Sequence, residues 1–205
     1  MPMEPLELWR VWTQLGVVGA AVTVAACRPL PSLRIVSGCV VAMVAYGAAQ
    51  DQVTARLCPE YFTVAHNPIP GVSDPTLLGL AWGFLGGWWG GLLLGLGLAA
   101  AARAGPAPPA PTRRLVRVVA VLFAVVGAAS ALAGVGSLLN ADHLGVSVGG
   151  PWASAVPPER HRRLLAVANT HFTTYAAAAA GSVVACAWVF RGRGRNGVDP
   201  RRGPG

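Results

Sequence analysis

Five long apolar runs, joined by short polar segments that are often rich in arginine or proline, constrain this chain more than any other feature. They fall near residues 11–27, 35–50, 76–102, 118–139 and 164–190. About 17–25 apolar residues match the hydrocarbon thickness of a bilayer. Inside it each backbone N–H and C=O must be satisfied within the segment or by a closed barrel, so runs of this length are expected to be helices. Only 12% of the 205 residues are charged, about half the share in soluble domains. The expected fold class is therefore all-α, an integral membrane helical bundle with five transmembrane helices, and four as the alternative.

The first run is the ambiguous one. Residues 11–27 contain Thr13, Gln14 and Thr23 and are short for a span. Three readings stay open: a span, a signal peptide, or a lipid anchor. Glu4 and Glu7 stand where a signal peptide carries basic residues. Residues 24–27, Val-Ala-Ala-Cys, loosely match a lipobox. Residues 1–10 form a short N-terminal segment. The second run is also short, but helix-compatible residues continue through Gln50 and Asp51 to about Leu57. Cys58-Pro59 should stop that helix, because the residue before proline is pushed out of the α region.

The charge pattern orients the bundle. All sixteen basic residues are arginine and the net charge is +8. They flank apolar runs and lack interleaved stacking aromatics, which points to topology and lipid contact rather than nucleic acid. Residues 103–117 carry four arginines, four prolines and no acid, and read as a cytoplasmic linker. Residues 191–205 carry five arginines and one aspartate, and read as a disordered basic tail. That places the C-terminus in the cytoplasm. Residues 51–75 hold Asp51, Glu60 and Asp74 against Arg56 and read as an exterior loop. Residues 140–163 join them outside, although Arg160, Arg162 and Arg163 run against the rule. Arginine without lysine, with abundant Ala, Gly and Pro, suggests a GC-rich bacterial genome and hence a bacterial inner membrane.

The third run carries Gly79, Gly83, Gly87, Gly91 and Gly95 at regular four-residue spacing. At 3.6 residues per turn these drift by about 40° per step and form a slowly winding groove. Small residues at this spacing let two backbones approach closely in lipid. The groove is read first as packing within the bundle and second as a homo- or hetero-oligomer face. Asp74 and Pro75 mark the start of this helix as N-cap and first helical residue.

Candidate chemistry gathers on the exterior side. Glu60, His66 and His161 lie in the two loops, and His171 sits about 10–15 Å inside the fifth run at the helical rise. An ionisable residue at that depth is a functional candidate. Glu60, His66, His161 and His171 are the candidate metal or haem ligands, and Glu60, His66 and His171 the candidate catalytic groups. No HxxxH, HExxH or ExxH spacing supports them, so they would have to meet from separate segments. The bland alternative is ion pairing and headgroup contact, with His171 bonded to a neighbouring helix. Cys58 with His66 lacks a third group, and the four cysteines lack CxxC spacing. No internal repeat points to a transporter, and no in-span ring of charge to a channel.

Residues 46–69, YGAAQDQVTARLCPEYFTVAHNPI, followed by DPTLLGLAWGFLGGWWGGLLLG, resemble a group of uncharacterised bacterial multi-span membrane proteins. That group carries a DQVTARxCxEYFTxxHP passage and a later ERHxxF…H…SY helix. The likeness covers residues 46–95 well. It continues at Glu159, Arg160, His161, His171 and Tyr175, with Thr174 in place of a serine and Asn67 between His66 and the proline. The resemblance implies an α-helical inner-membrane protein and no particular activity. It singles out Asp51, Glu60, Tyr61, His66, His161 and His171. Two functions stand as expectations: a structural or partner-binding membrane subunit, or a metal- or haem-binding membrane enzyme with an exterior Glu/His site.

Overall fold

The computed structural model describes residues 8–27, 31–140, 143 and 147–196. Among these the chain is helical without strands. Seven helices run in order: α1 (Leu8–Cys27), α2 (Pro31–Leu57), α3 (Glu60–Thr63), α4 (Pro75–Arg103), α5 (Thr112–Asn140), α6 (Pro151–Ala155) and α7 (His161–Asn196), with a 3₁₀ turn at Pro158–Arg160 leading into α7. Four helices are long and apolar enough to cross a membrane, over Pro31–Leu57, Pro75–Arg103, Thr112–Asn140 and Pro158–Arg193. The molecule is thus an all-α bundle of multi-pass membrane type. A fifth span over 11–27 is not confirmed: α1 is helical but is not one of the four, and it rests chiefly on α2.

The α2–α4 pair is the most extensive contact of the fold, and glycine makes it possible. A methyl group on Gly91 would lie 2.6 Å from the Cα of Val40, and one on Gly95 2.7 Å from the Cα of Val36. At Gly87 it would meet the Met43 carbonyl at 3.0 Å, at Gly83 the backbone of Ala48, and at Gly79 the Asp51 carbonyl at 2.9 Å. Each four-residue step along α4 is matched by a similar step back along α2. The two helices are antiparallel and touch backbone to backbone over about 24 Å at the helical rise. This groove is filled from within the chain, by α2.

Local signals set the helix ends. Asp74 Oδ1 accepts the N–H groups of Thr76 (2.9 Å) and Leu77 (3.0 Å), and Pro75 takes the first helical position. Such a cap is worth about 1 kcal/mol. α2 runs without a break to Leu57 and stops before Cys58-Pro59.

Two boundaries differ from expectation. α5 begins at Thr112, directly after Pro111, so residues 112–117 belong to its first turns rather than to the linker. The tail expected from residue 191 is helical as far as Asn196; residues 197–205 lie outside the described part. The reason is Arg193, only 4% exposed. Its guanidinium donates to the carbonyls of Ala101 (3.1 Å), Ala104 (2.7 Å) and Pro108 (2.9 Å), and also to that of Ala107. Some of these are carbonyls that the end of α4 leaves without helical partners, and a five-donor fork suits them. Arg114 adds a second tie, donating to the Trp188 carbonyl at 2.9 Å with its guanidinium 4.8 Å over the Trp188 ring.

Two apolar clusters result. Leu98, Leu122, Val126 and Val189 belong to one, toward the linker end. Phe62, Leu78, Leu164 and Val167 belong to the other, under the 51–75 loop. Between them the helices carry polar side chains.

Candidate functional site

The polar layer starts from three residues on two helices. Asp51 and Thr54 lie one turn apart on α2, and His171 faces them from α7. All three are buried, Asp51 at 4% exposure and His171 at 6%. His171 Nε2 lies 3.5 Å from Asp51 Oδ1 and 3.3 Å from Thr54 Oγ1. Asp51 is about 9 Å below the end of α2 at the helical rise. A lone carboxylate at that depth is expensive, and pairing is the usual solution.

Beside this trio stands a hub. Gln50 Oε1 accepts from the hydroxyls of Tyr46 (2.9 Å), Thr174 (2.9 Å) and Ser130 (3.5 Å). One amide oxygen thereby ties α2, α5 and α7. Interhelical hydrogen bonds in membranes average about 0.6 kcal/mol each, so the hub fixes geometry more than it adds stability.

α3 closes the layer from the loop side. The Tyr61 ring stacks on His171 with centroids 4.7 Å apart and 23° between planes. His66 meets Tyr61 edge-on at 4.7 Å and Trp82 at 4.8 Å. His66 Nδ1–H donates to the Tyr61 carbonyl at 2.8 Å. Burial, helped by nearby Tyr175 and Asp51, pushes the Tyr61 phenol above its ordinary range; it caps His171 as a neutral ring.

The four expected ligands do not form one centre. His66 and His171 both lie against Tyr61. Glu60 instead accepts from the Cys58 thiol (3.3 Å) and pairs with Arg160 at 3.7 Å. His161 turns its Nε2 to the Val156 carbonyl, 2.9 Å away, and so caps the turn that precedes α7. Among the described residues no three His, Cys, Asp or Glu side chains stand close enough to hold one metal ion. Glu60 is engaged by Arg160 and Cys58, and His161 by a backbone carbonyl, so the structure does not gather Glu60, His66, His161 and His171 at one point. No nucleophile with a base and an orienting group emerges for Glu60, His66 and His171 as catalysts either. Burial, then the bond to Glu60, pushes the Cys58 thiol up to about 11, away from nucleophile character.

On sequence grounds Asp51 is an ion-pairing group at the membrane exit, and nothing singles out Gln50, Thr54, Thr174 or Ser130. Their signal is present in part: Gln50, Asp51 and Thr54 crowd three polar residues into about one turn of a helix that continues to Leu57.

A cleft of about 500 Å³ opens between α2, α4 and α7. Asp51, His171 and Gln50 lie at its polar end, and its apolar walls include Met43, Leu94 and Ala178. Trp89, Leu93, Tyr175 and Val183 flank it and are exposed on the outer surface of the spans. A volume of about 300–1,000 Å³ with a few convergent polar groups is typical of small-molecule sites. A second cavity of about 350 Å³, between α2, α5 and α7, meets the first at Tyr46 and Gln50. No family model, curated protein or solved structure matches the chain.

Proposed function

We propose that this chain is a multi-pass protein of a bacterial plasma membrane that takes up one lipid-like molecule from the bilayer. In this reading it is a binding subunit, and its binding face is the α2/α4/α7 cleft rather than the glycine groove. The observation that carries the proposal is the cleft's polarity. Its walls are almost wholly apolar, and its one ion-pairing couple, Asp51 with His171, lies at one end. A molecule with an apolar tail and a single polar end matches that division, and the exposed flank of Trp89, Leu93, Tyr175 and Val183 provides entry from the lipid side.

The orientation follows the arginines. The 103–117 linker and the 191–205 tail carry four and five arginines, which supports a cytoplasmic C-terminus. Residues 51–75 and α3 then lie outside, and the polar end of the cleft sits in the outer half of the bilayer.

The test is native mass spectrometry of the protein extracted in lipid nanodiscs. One bound lipid-like molecule per chain is expected to survive removal of the surrounding lipid. Gly90→Phe should lose it: a Cβ there meets only the Met43 side chain, at 3.8 Å, so the ring enters the cleft without striking backbone. A wild-type spectrum free of bound mass, or one identical to that of Gly90→Phe, would sink the reading.

A further inference from the structure

We infer that the molecule taken into the cleft carries an uncharged hydroxyl headgroup, which accepts a hydrogen bond from the indole N–H of Trp82 and donates one to Asp51 of the Asp51–His171 pair. The inference rests on the proposed lipid-like ligand and narrows its class.

Charge is the first ground. Among the described residues no arginine lines the cleft, although the chain has sixteen basic residues. A phosphate or sulfate head requires several strong donors, which guanidinium groups normally supply. Asp51 and His171 are both buried, and the imidazole lies 3.5 Å from the carboxyl. A trimethylammonium head would find aromatic faces at Trp82 and Tyr175, but the Asp51 carboxyl there is already engaged by His171. Cation–π attraction is weak beside the penalty for burying an unpaired ion.

The second ground is independent of the first. Trp82 lines the cleft, and its Nε1–H is buried without an acceptor among the described residues. Buried donors are nearly always satisfied, and an orphan calls for a missing partner. An oxygen on the ligand supplies it. A hydroxyl is the smallest group that accepts there and still donates to a carboxylate oxygen. The cleft's volume, about 500 Å³, suits one such head with a single chain. Isoprenoid alcohols and diacylglycerols share this headgroup chemistry.

The experiment uses the full chain in nanodiscs and probes with identical bromine-labelled tails that quench tryptophan fluorescence. Their heads are hydroxyl, sulfate or trimethylammonium, and a brominated diacylglycerol is the fourth probe. Quenching of Gly90→Phe gives the baseline of binding outside the cleft. The expected result is that a hydroxyl probe binds wild type about tenfold or more tightly than either charged probe, a difference of about 1.4 kcal/mol or more. The single-chain and two-chain hydroxyl probes then tell the two sources apart, and preference for either supports the inference. Trp82→Phe keeps the ring and removes the donor, so it should cut hydroxyl affinity severalfold and leave sulfate binding unchanged. If Trp82→Phe does not fold, Asp51→Asn carries the same comparison. Equal binding of all heads, abolished by Gly90→Phe, overturns the inference and leaves the lipid-like reading standing. A charged head that binds best also overturns it. Probes indifferent to Gly90→Phe overturn both.

Discussion

His171 Nε2 and Asp51 Oδ1 lie 3.5 Å apart although they belong to the last and the second helices of the chain. The pair is sealed by Tyr61, whose ring stacks on His171 from the loop side. It joins α3, two spans and the polar end of the cleft at one point.

Removing one member of the pair leaves the other buried and uncompensated. Asp51→Leu should cost about 1–3 kcal/mol, the penalty for leaving a buried polar group without its partner. His171→Leu should cost a similar amount. The double variant should cost clearly less than the sum of the two, because it leaves no orphan. Unfolding in detergent over a double-mutant cycle measures this, and strict additivity would show that the two residues act separately.

The glycine groove predicts opposite outcomes for one substitution at two sites. Gly83→Ala places its methyl against the Ala48 backbone, which cannot yield without parting α2 from α4. Overpacking of this kind costs about 1–3 kcal/mol. A methyl on Gly38 of α2 would meet no atom within 4 Å, so Gly38→Ala should be neutral or stabilise by up to about 1 kcal/mol through helix propensity. Parallel thermal unfolding of the two variants compares them.

Cys58 should resist alkylation. Its thiol is raised from 9.0 to about 11, so at pH 8 it carries about a hundredfold less thiolate than an unperturbed cysteine. Glu60→Gln removes the neighbouring carboxylate and should speed labelling. Because the folded value lies above the unfolded one, the thiol's contribution to stability is complete below pH 9 and is lost as pH rises through about 11. Labelling rates against pH, read on folded protein, test both points. A Cys58 that reacts like a free thiol would contradict this environment.

Which parts of the molecule are legible in the sequence follows from the range of the forces involved. The face of α4 is readable because small-residue spacing is a local backbone rule. So is its start, since Asp74 caps groups two and three residues away. The extension of α2 to Leu57 is readable from the absence of a breaker before Cys58-Pro59. The partner of His171 is not, because helix pairing is set by packing across the whole bundle and leaves no spacing in the chain. Sequence alone therefore leaves Asp51 in a loop instead of against His171. The tail misleads for a related reason. Gly192 and Gly194 weaken a helix locally, but Arg193 anchors it to carbonyls about 85–92 positions earlier in the chain.

The backbone contact between α2 and α4 also bears on how the chain reaches its membrane. α2 carries Arg34, Asp51 and Arg56 toward its two ends, and a charged side chain costs most at a span's centre, about 2.5–3.5 kcal/mol on insertion scales. α4 carries no charge before Arg103, and its glycines let α2 lie against it over about 24 Å at the helical rise. The two are best delivered as one hairpin, with the segment between Leu57 and Pro75 as its tip. A bulky residue in the groove would then show itself in the translocon, as a shortfall of correctly threaded chains, before any finished protein could be melted.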